Sequence, residues 1–212
     1  TTLYRYIHMG LFDNIKLAKR KKEYRKTVIK RAPKGTSIEK RPIEIRNRNT
    51  FGHWEMDCLC GSNKTTWLVL SERLTRKEII FSMKDQKASS VIFCLNILER
   101  RFGAMFKKVF KTITVDNGSE FADYKGLEKS IFGRNSKRTL VYYCHPYCSS
   151  ERGTNERLNR EIRKLVPKGS ALNKFSMEDV QKIEDWVNNY PREIFGYATS
   201  QEMFNKELQA LA

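Results

Sequence analysis

No run of eighteen apolar residues occurs in this chain of 212 residues, so no segment has the composition of a membrane-spanning helix. No signal-peptide pattern opens it, and it lacks an initiator methionine, so the sequence reads as a piece of a longer protein. Histidine is scarce, and the five cysteines (Cys58, Cys60, Cys94, Cys144, Cys148) are an odd number without a secretory signal, which points to reduced thiols in the cytoplasm. A zinc centre made from Cys58, Cys60, Cys144 and Cys148 is conceivable, but C-x-C and C-x-x-x-C are not the paired C-x-x-C spacings of zinc knuckles. There is no internal repeat. Acidic residues are also short, 24 against 41 Lys and Arg, giving a net charge of +17 and a pI near 9.8. So basic a balance points to a polyanionic partner, nucleic acid ahead of an acidic membrane. What remains is enough for a core: 40% of residues are hydrophobic, and the length suits one large domain, or one core with an appendage.

The charge is concentrated at one end. Residues 1–50 hold fifteen Lys and Arg against four Asp and Glu, a net of +11, which leaves +6 for the rest. Within "KRKKEYRKTVIKR" (19–31) eight residues are basic and one is acidic, a run that cannot bury a core and reads as a solvated arm. Ahead of it, Leu3, Tyr4, Ile7 and Leu11 recur at helical spacing, predicting a short helix that closes at Gly10 to Asp13. The folded domain is expected from about Thr50, giving segments 1–49 and 50–212.

Beyond Thr50 the periodicity alternates between two and 3.6 residues. Strands are predicted at 52–61, 65–73 and 77–84, joined by short polar turns as an antiparallel meander. A helix follows at 89–102, then a strand at 110–116, a helix at 119–130 and a fifth strand at 139–144. Helices are predicted at 151–166, ended by Pro167 and Gly169, and at 176–190, where Ser176 is the N-cap and Glu178 and Asp179 favour the first turn. A last helix is expected at 199–210. The order βββ-α-β-α-β-α-α is mixed α/β, with a five-stranded sheet flanked by helices.

Two carboxylates stand out on this frame. In strand 52–61 the alternation puts His53, Glu55 and Asp57 on one face and Trp54, Met56 and Cys58 on the other. In strand 110–116, which runs into "TVDNGSEF" (114–121), Thr112, Thr114 and Asp116 share a face. If the two strands are neighbours, Asp57 and Asp116 converge, and a divalent cation is the usual remedy for their repulsion. The plainer reading makes Asp57 a hydrogen-bonded strand end and Asp116 the first residue of an Asp-Asn-Gly turn. On helix 151–166, Leu158, Ile162, Leu165 and Val166 share one face, and Glu156, Asn159, Arg160 and Arg163 the opposite one. Glu156 and Arg163 are nearly two turns apart and so almost in register. Taken alone, such a charged stripe is an ordinary solvated face.

"GHWEMD", "TVDNGSEF" and "PYCSSERGTNERLNREIR", in this order, resemble the DDE transposases and retroviral integrases of the RNase H-like superfamily, and most closely the bacterial insertion-sequence transposases of the IS-thirty family. The closing "VPKGSALNKFS" and "NNYPREIFGYATSQEMF" and the opening "TTLYRYI" are similar to that family too, so the resemblance covers nearly the whole chain. It implies an RNase H-like catalytic core over 50–212. Residues 1–49 would be the end of an N-terminal DNA-binding region with a basic linker arm. It also implies a catalytic, metal-binding triad of Asp57, Asp116 and Glu156. Glu151 is set aside, because Gly153-Thr154-Asn155 must lead into the acid. Glu55 and Asn117 are accessory by the same resemblance, Glu55 either tuning the metal site or holding a hydrogen bond. Thirty-nine residues separate Asp116 from Glu156, more than the family pattern suggests, and a surface insertion at "FGRNSKR" (132–138) would absorb the excess.

The activity this resemblance implies is Mg²⁺-dependent phosphoryl transfer on double-stranded DNA, with two ions per site and Mn²⁺ able to substitute. Cleavage at the ends of an insertion sequence would free a 3′-OH that attacks target DNA. Arg163, Asn159 and Arg152 would hold phosphates near the site. Tyr147 and His145 would stack on or hydrogen-bond to flanking DNA, or simply pack their loop. Lys19, Arg20, Lys21, Lys22, Arg25 and Lys26 would track the DNA backbone without reading its sequence. The same resemblance implies a bacterial cytoplasmic protein associated with DNA, not with a membrane, acting as a homo-oligomer, with a dimer favoured. Two other functions are open on the sequence: a regulatory DNA-binding fragment with vestigial acids, and a nuclease of the same fold that only hydrolyses.

Overall fold

The computed structural model describes residues 5, 6, 9, 35–133, 135–146 and 148–211. The chain divides into two compact units, Thr1–Arg31 and Ala32–Ala212. In the first, Arg5 and Tyr6 are helical and the Met9 N–H donates to the Arg5 carbonyl at 3.0 Å. The predicted end of this helix at Gly10 to Asp13, and Lys19, Arg20, Lys21, Lys22, Arg25 and Lys26, lie outside the described residues.

The second unit is built on one mixed sheet. Its strands are β1 (Thr36–Ser37), β2 (His53–Cys60), β3 (Thr66–Glu72), β4 (Glu78–Met83), β5 (Thr112–Val115) and β6 (Leu140–Tyr143), in the spatial order β1-β6-β5-β2-β3-β4. The expected meander is there, since β2, β3 and β4 pair antiparallel. β5 runs parallel to β2 with Glu55 opposite Thr114, and β6 runs parallel to β5. The helices are α1 (Ala88–Phe102), α2 (Phe106–Val109), α3 (Tyr124–Glu128), α4 (Gly153–Leu165), α5 (Met177–Asn189) and α6 (Ser200–Leu211).

Strand alternation divides the apolar residues between two layers. Trp54, Met56, Leu68, Leu70, Ile113 and Val115 face one way and pack on Val91, Leu95 and Leu98 of α1 and Phe204 of α6. Trp54 anchors that layer: its indole N–H donates to the Val109 carbonyl at 2.7 Å and its ring stacks on Phe110 with centroids 4.6 Å apart. Leu59, Trp67, Val69 and Ile80 face the other way, against Ile162 of α4 and Val180, Ile183 and Val187 of α5. Ser176 caps α5 in a reciprocal box with Asp179. The sheet is therefore sandwiched, and α4 lies across the face that carries Glu55 and Asp57.

Three expectations need correction. The sheet has six strands, not five, because Thr36–Ser37 pairs with Tyr142–Tyr143 and covers the open edge of β6. With it, Ile38 and Ile45 are buried, so the compact unit begins ahead of Thr50. Two isolated isoleucines among charged residues gave no period to read. The helix predicted at 119–130 is a 3-10 turn, Ser119–Phe121, followed by the short α3. Asp123 breaks it, its carboxylate accepting the Gly126 N–H at 2.9 Å as a new N-cap. Finally, the 132–138 segment is only partly a surface loop. Phe132 is exposed, but Arg138 is buried, donating to the Leu127 and Gly126 carbonyls at 2.8 and 2.7 Å and pairing with Glu99 at 3.3 Å.

Candidate active site

Asp57 lies in the C-terminal half of β2, and Asp116 is the first residue beyond β5. Parallel pairing in the register Glu55 to Thr114 carries both aspartates to the same face and the same level of the sheet. They share a cation. Arg152 Nη1 lies 3.0 Å from Asp57 Oδ1, and Nη2 lies 2.9 Å from Asp116 Oδ2. Burial disfavours the guanidinium charge, but Asp57 and then Asp116 outweigh it, so the Arg152 pKa is raised.

Asp116 is a turn residue as well. Its Oδ1 accepts the Gly118 N–H at 2.8 Å, while Asn117 Nδ2 donates to the Cys144 carbonyl at 2.7 Å and ties the end of β5 to the end of β6. Position 118 has no room for a side chain: a Cβ there would lie 2.5 Å from Glu120 Oε2 and 2.9 Å from Asp116 Oδ1. The same contact sets Glu120 beside Asp116, with its Oε1 accepting from Gln86 at 2.6 Å.

α4 supplies the other wall. At 100° per residue, Arg152, Glu156, Asn159 and Arg163 form one stripe. Asn159 is turned inward, its Nδ2 3.1 Å from Asp57 Oδ2 and 2.7 Å from Asn155 Oδ1, rather than presented to a ligand outside. Arg163 is half-buried and donates to the Cys60 carbonyl at 3.0 Å, not to an acid. Its other terminal nitrogen is buried without a partner. Glu156 is exposed on this stripe.

Glu55, two residues from Asp57 on the same strand face, is fully buried. It pairs with Arg73 Nε at 2.9 Å and accepts the Asn155 N–H at 2.9 Å. Glu151 is occupied in the loop before α4, accepting from the His145 backbone N–H at 2.8 Å and meeting His145 Nδ1 at 2.7 Å. His145 Nε2 also meets Glu39 at 3.1 Å, so both ring nitrogens are engaged. Tyr147 lies outside the described residues.

Among the described residues, no three His, Cys, Asp or Glu side chains converge as a metal ion requires in this conformation. Burial pushes the Cys144 thiol up to about 12 and Cys94 to about 11, so these are packed thiols. Asp57 and Asp116 nonetheless fit a divalent cation. A positive charge already bridges them, both remain partly open to solvent, and a third carboxylate stands on the facing helix. The sequence reading missed Arg73, Asn155 and Glu120, and also Arg41, which donates to Thr114 at 3.1 Å. Asn155 and Asn159, four apart, could have been read as an inward-facing pair. Nothing in the sequence singles out Arg73 or Arg41.

No family model matches the chain. It is 34% identical over 215 residues to a probable transposase for the insertion-like sequence element IS1161 of Streptococcus salivarius, a match covering 96% of this chain and 57% of that protein. It is 30% identical over 172 residues to the transposase InsI for insertion sequence element IS30C of Escherichia coli (strain K12), covering 81% of this chain and 43% of that protein. The chain thus spans about half the length of the curated relatives it matches. Its fold is similar to the catalytic core domain of BIV integrase, with a TM-score of 0.54 at 18% identity, covering 76% of this chain and 98% of that one. By sequence the chain belongs to the insertion-sequence transposases that include the IS30 elements, and its fold is that of an integrase catalytic core.

Proposed function

We propose that the chain carries the catalytic part of a DNA transposase that cuts double-stranded DNA at insertion-sequence ends and joins the freed 3′ ends to target DNA. The observation that carries this reading is the parallel pairing of β2 with β5, which brings Asp57 and Asp116 onto one cation. Asp57, Asp116 and Glu156 would hold the metal, two Mg²⁺ ions for which Mn²⁺ can stand in. Bound there, the ions supply an activated oxygen nucleophile and stabilise the leaving oxygen. Asn159 fixes the Asp57 carboxylate through its amide. Arg152 holds the two aspartates together and is free to move to a DNA phosphate once another cation takes its place. Arg163, with one nitrogen unpartnered, takes a backbone phosphate beside the acids.

In strand transfer the 3′-hydroxyl oxygen bonds to a target phosphorus, and the bond from that phosphorus to its own 3′ oxygen breaks. No bond to protein forms, so no Ser or Tyr nucleophile is required. The protein would act in the bacterial cytoplasm as a dimer that holds two DNA ends, and the arm with Lys19, Arg20, Lys21, Lys22, Arg25 and Lys26 would add contacts to the backbone. Among the described residues, no helix is long and apolar enough to cross a membrane. The test is incubation of the chain with a pre-cut insertion-sequence end and a target plasmid in Mg²⁺. Joined products support transfer. Shortened ends without joined products would reduce the activity to hydrolysis.

A further inference from the structure

On α4, Thr154, Arg157 and Glu161 lie roughly opposite the stripe of Arg152, Asn159 and Arg163 at 100° per residue. A cavity of about 180 Å³ opens there, lined by Arg48, Arg76, Thr154, Arg157 and Arg192. These residues come from four separate segments: the stretch before β2, the β3–β4 turn, α4, and the turn after α5. The arginines are poorly matched by acids. Among the described residues, none of the four is ion-paired with a carboxylate. Arg76 donates to the Thr154 hydroxyl at 3.3 Å, and Arg192 to the Ser200 hydroxyl at 2.7 Å and the Val187 carbonyl at 3.0 Å. Arg48 Nε is buried with no hydrogen-bond partner. Glu161 and Glu193 also line the cavity, and Glu161 is taken up by Lys164 at 2.5 Å.

Two of these arginines also sit on left-handed backbone. Among the described residues, three non-glycine residues have positive φ, and two of them are Arg48 (56°) and Arg76 (61°). Their charges also oppose one another. The Arg76 pKa is lowered, first by burial and then by Arg48, with Arg157 adding to it, although Glu55 and Glu72 pull the other way. Unpaired guanidiniums gathered around a small cavity are what a tetrahedral oxyanion needs.

We propose that this cavity binds a phosphodiester group of the DNA backbone, a contact on the opposite side of α4 from the acids. The proposal rests on the reading of the chain as a DNA-acting protein and adds a second place where the duplex is gripped.

The experiment measures binding of a duplex to the whole chain in Ca²⁺ over a salt series, for the parent and an Arg48→Gly/Arg157→Ala variant. Glycine suits a left-handed backbone, so position 48 should not unfold. The slope of log affinity against log salt should fall by about 1, for the one phosphate contact removed. A second variant, Arg157→Gln, alters one exposed side chain and should lower the slope in the same direction, by no more than the double variant does. The comparison pair is Arg100→Ala/Arg101→Ala, at the end of α1. An equal fall in that pair would show diffuse charge rather than a built pocket, and an unchanged slope in Arg48→Gly/Arg157→Ala would overturn the proposal.

Inorganic pyrophosphate distinguishes the free oxyanion. At matched ionic strength it should raise the melting temperature of the parent and not that of the double variant. Equal stabilisation of both would mean an adventitious ion only. Because binding needs no cleavage, a parent that binds with this slope but never joins ends would remove the transferase reading and leave the pocket standing.

Discussion

Glu55 and Asp57 are two acids on one face of one strand, set in different surroundings. Glu55 has no exposed side-chain surface and is enclosed by Arg73, a backbone N–H of α4 and the underside of the helix. The side chain of Asp57 is 27% exposed and shares Arg152 with Asp116, whose side chain is 38% exposed. The difference comes from α4. Its first turns press Asn155 onto β2 at Glu55 and seal that position, while at Asp57 the partners are Arg152, just ahead of the helix, and Asn159 on it. A charge that is buried and paired fixes the register of helix on sheet. A charge that is half open, on a cation that can leave, remains available for chemistry.

The sharpest test of this contrast is at the open end. Asp57→Asn or Asp116→Asn keeps the shape and removes the charge. Cleavage should fall at least about a thousandfold, or ~4 kcal/mol in the barrier. Folding should change less than at the closed end, because both carboxylates are partly open to solvent and Arg152 keeps the other aspartate as a partner. Glu156→Gln should match them in cleavage and leave the melting temperature unmoved. Full cleavage in any one of these variants removes that residue from the triad.

At the closed end the expected damage is to folding. Glu55→Gln leaves Arg73 buried and unpaired, and breaking a buried pair from one side costs about 3–5 kcal/mol. Urea unfolding should show the loss directly. Replacing both residues with apolar ones of similar size, Glu55→Leu with Arg73→Met, should recover much of it. If Glu55→Gln were as stable as the parent but inactive, Glu55 would belong with Asp57, and the contrast would fail.

Arg152 is where the two ends meet. In Arg152→Ala the aspartates face each other without a cation, so in chelator the variant should be about 1 kcal/mol less stable than the parent. Adding Mg²⁺ should raise its melting temperature by more than it raises the parent's, since no guanidinium has to be displaced. Equal Mg²⁺ shifts in both proteins would mean that Arg152 does not occupy the cation position.

Much of this arrangement was legible in the sequence, and the illegible parts have a common cause. β2, β3, β4, α1, α4, α5 and α6 announced themselves by period, because each buries one face continuously against the sheet. Asp57 and Asp116 could be named as a pair, since alternation fixes their faces and only the adjacency of β2 and β5 had to be supposed. β1 could not be read, because two residues on a sheet edge have no period. Nor could the partners of the acids. Arg73 lies 18 positions from Glu55, and Arg152 is 95 from Asp57, so each pair exists only after the sheet has closed. Spacing locates a carboxylate; it does not say whether a helix will seal it.

The smallest expected effect concerns Glu151, an acid five residues ahead of Glu156 that is not assigned to the site. Its carboxylate meets both the backbone N–H and the ring of His145, at 2.8 and 2.7 Å, and so holds the loop that leads into α4. Hydrogen bonds from Glu151 and then Glu39 raise the His145 pKa above its ordinary 6.5. Burial pushes Glu151 up, but its bonds to His145 outweigh this and leave its pKa below the ordinary 4.5. The signs differ. The His145 contribution is full below pH 6.5 and is lost as pH rises through the raised value. That of Glu151 is full above pH 4.5 and is lost as pH falls through the lowered value. Both are present together between those limits, so Glu151→Gln should lose most stability, relative to the parent, near pH 5 to 6 and least once the pH has risen past the raised His145 value. Cleavage at pH 8 should stay within about twofold of the parent, the range of a surface substitution away from the reacting atoms. Melting curves across pH, read beside cleavage at one pH, test both halves. A thousandfold loss of cleavage in Glu151→Gln, with the melting curve unchanged, would move the catalytic acid from Glu156 to Glu151.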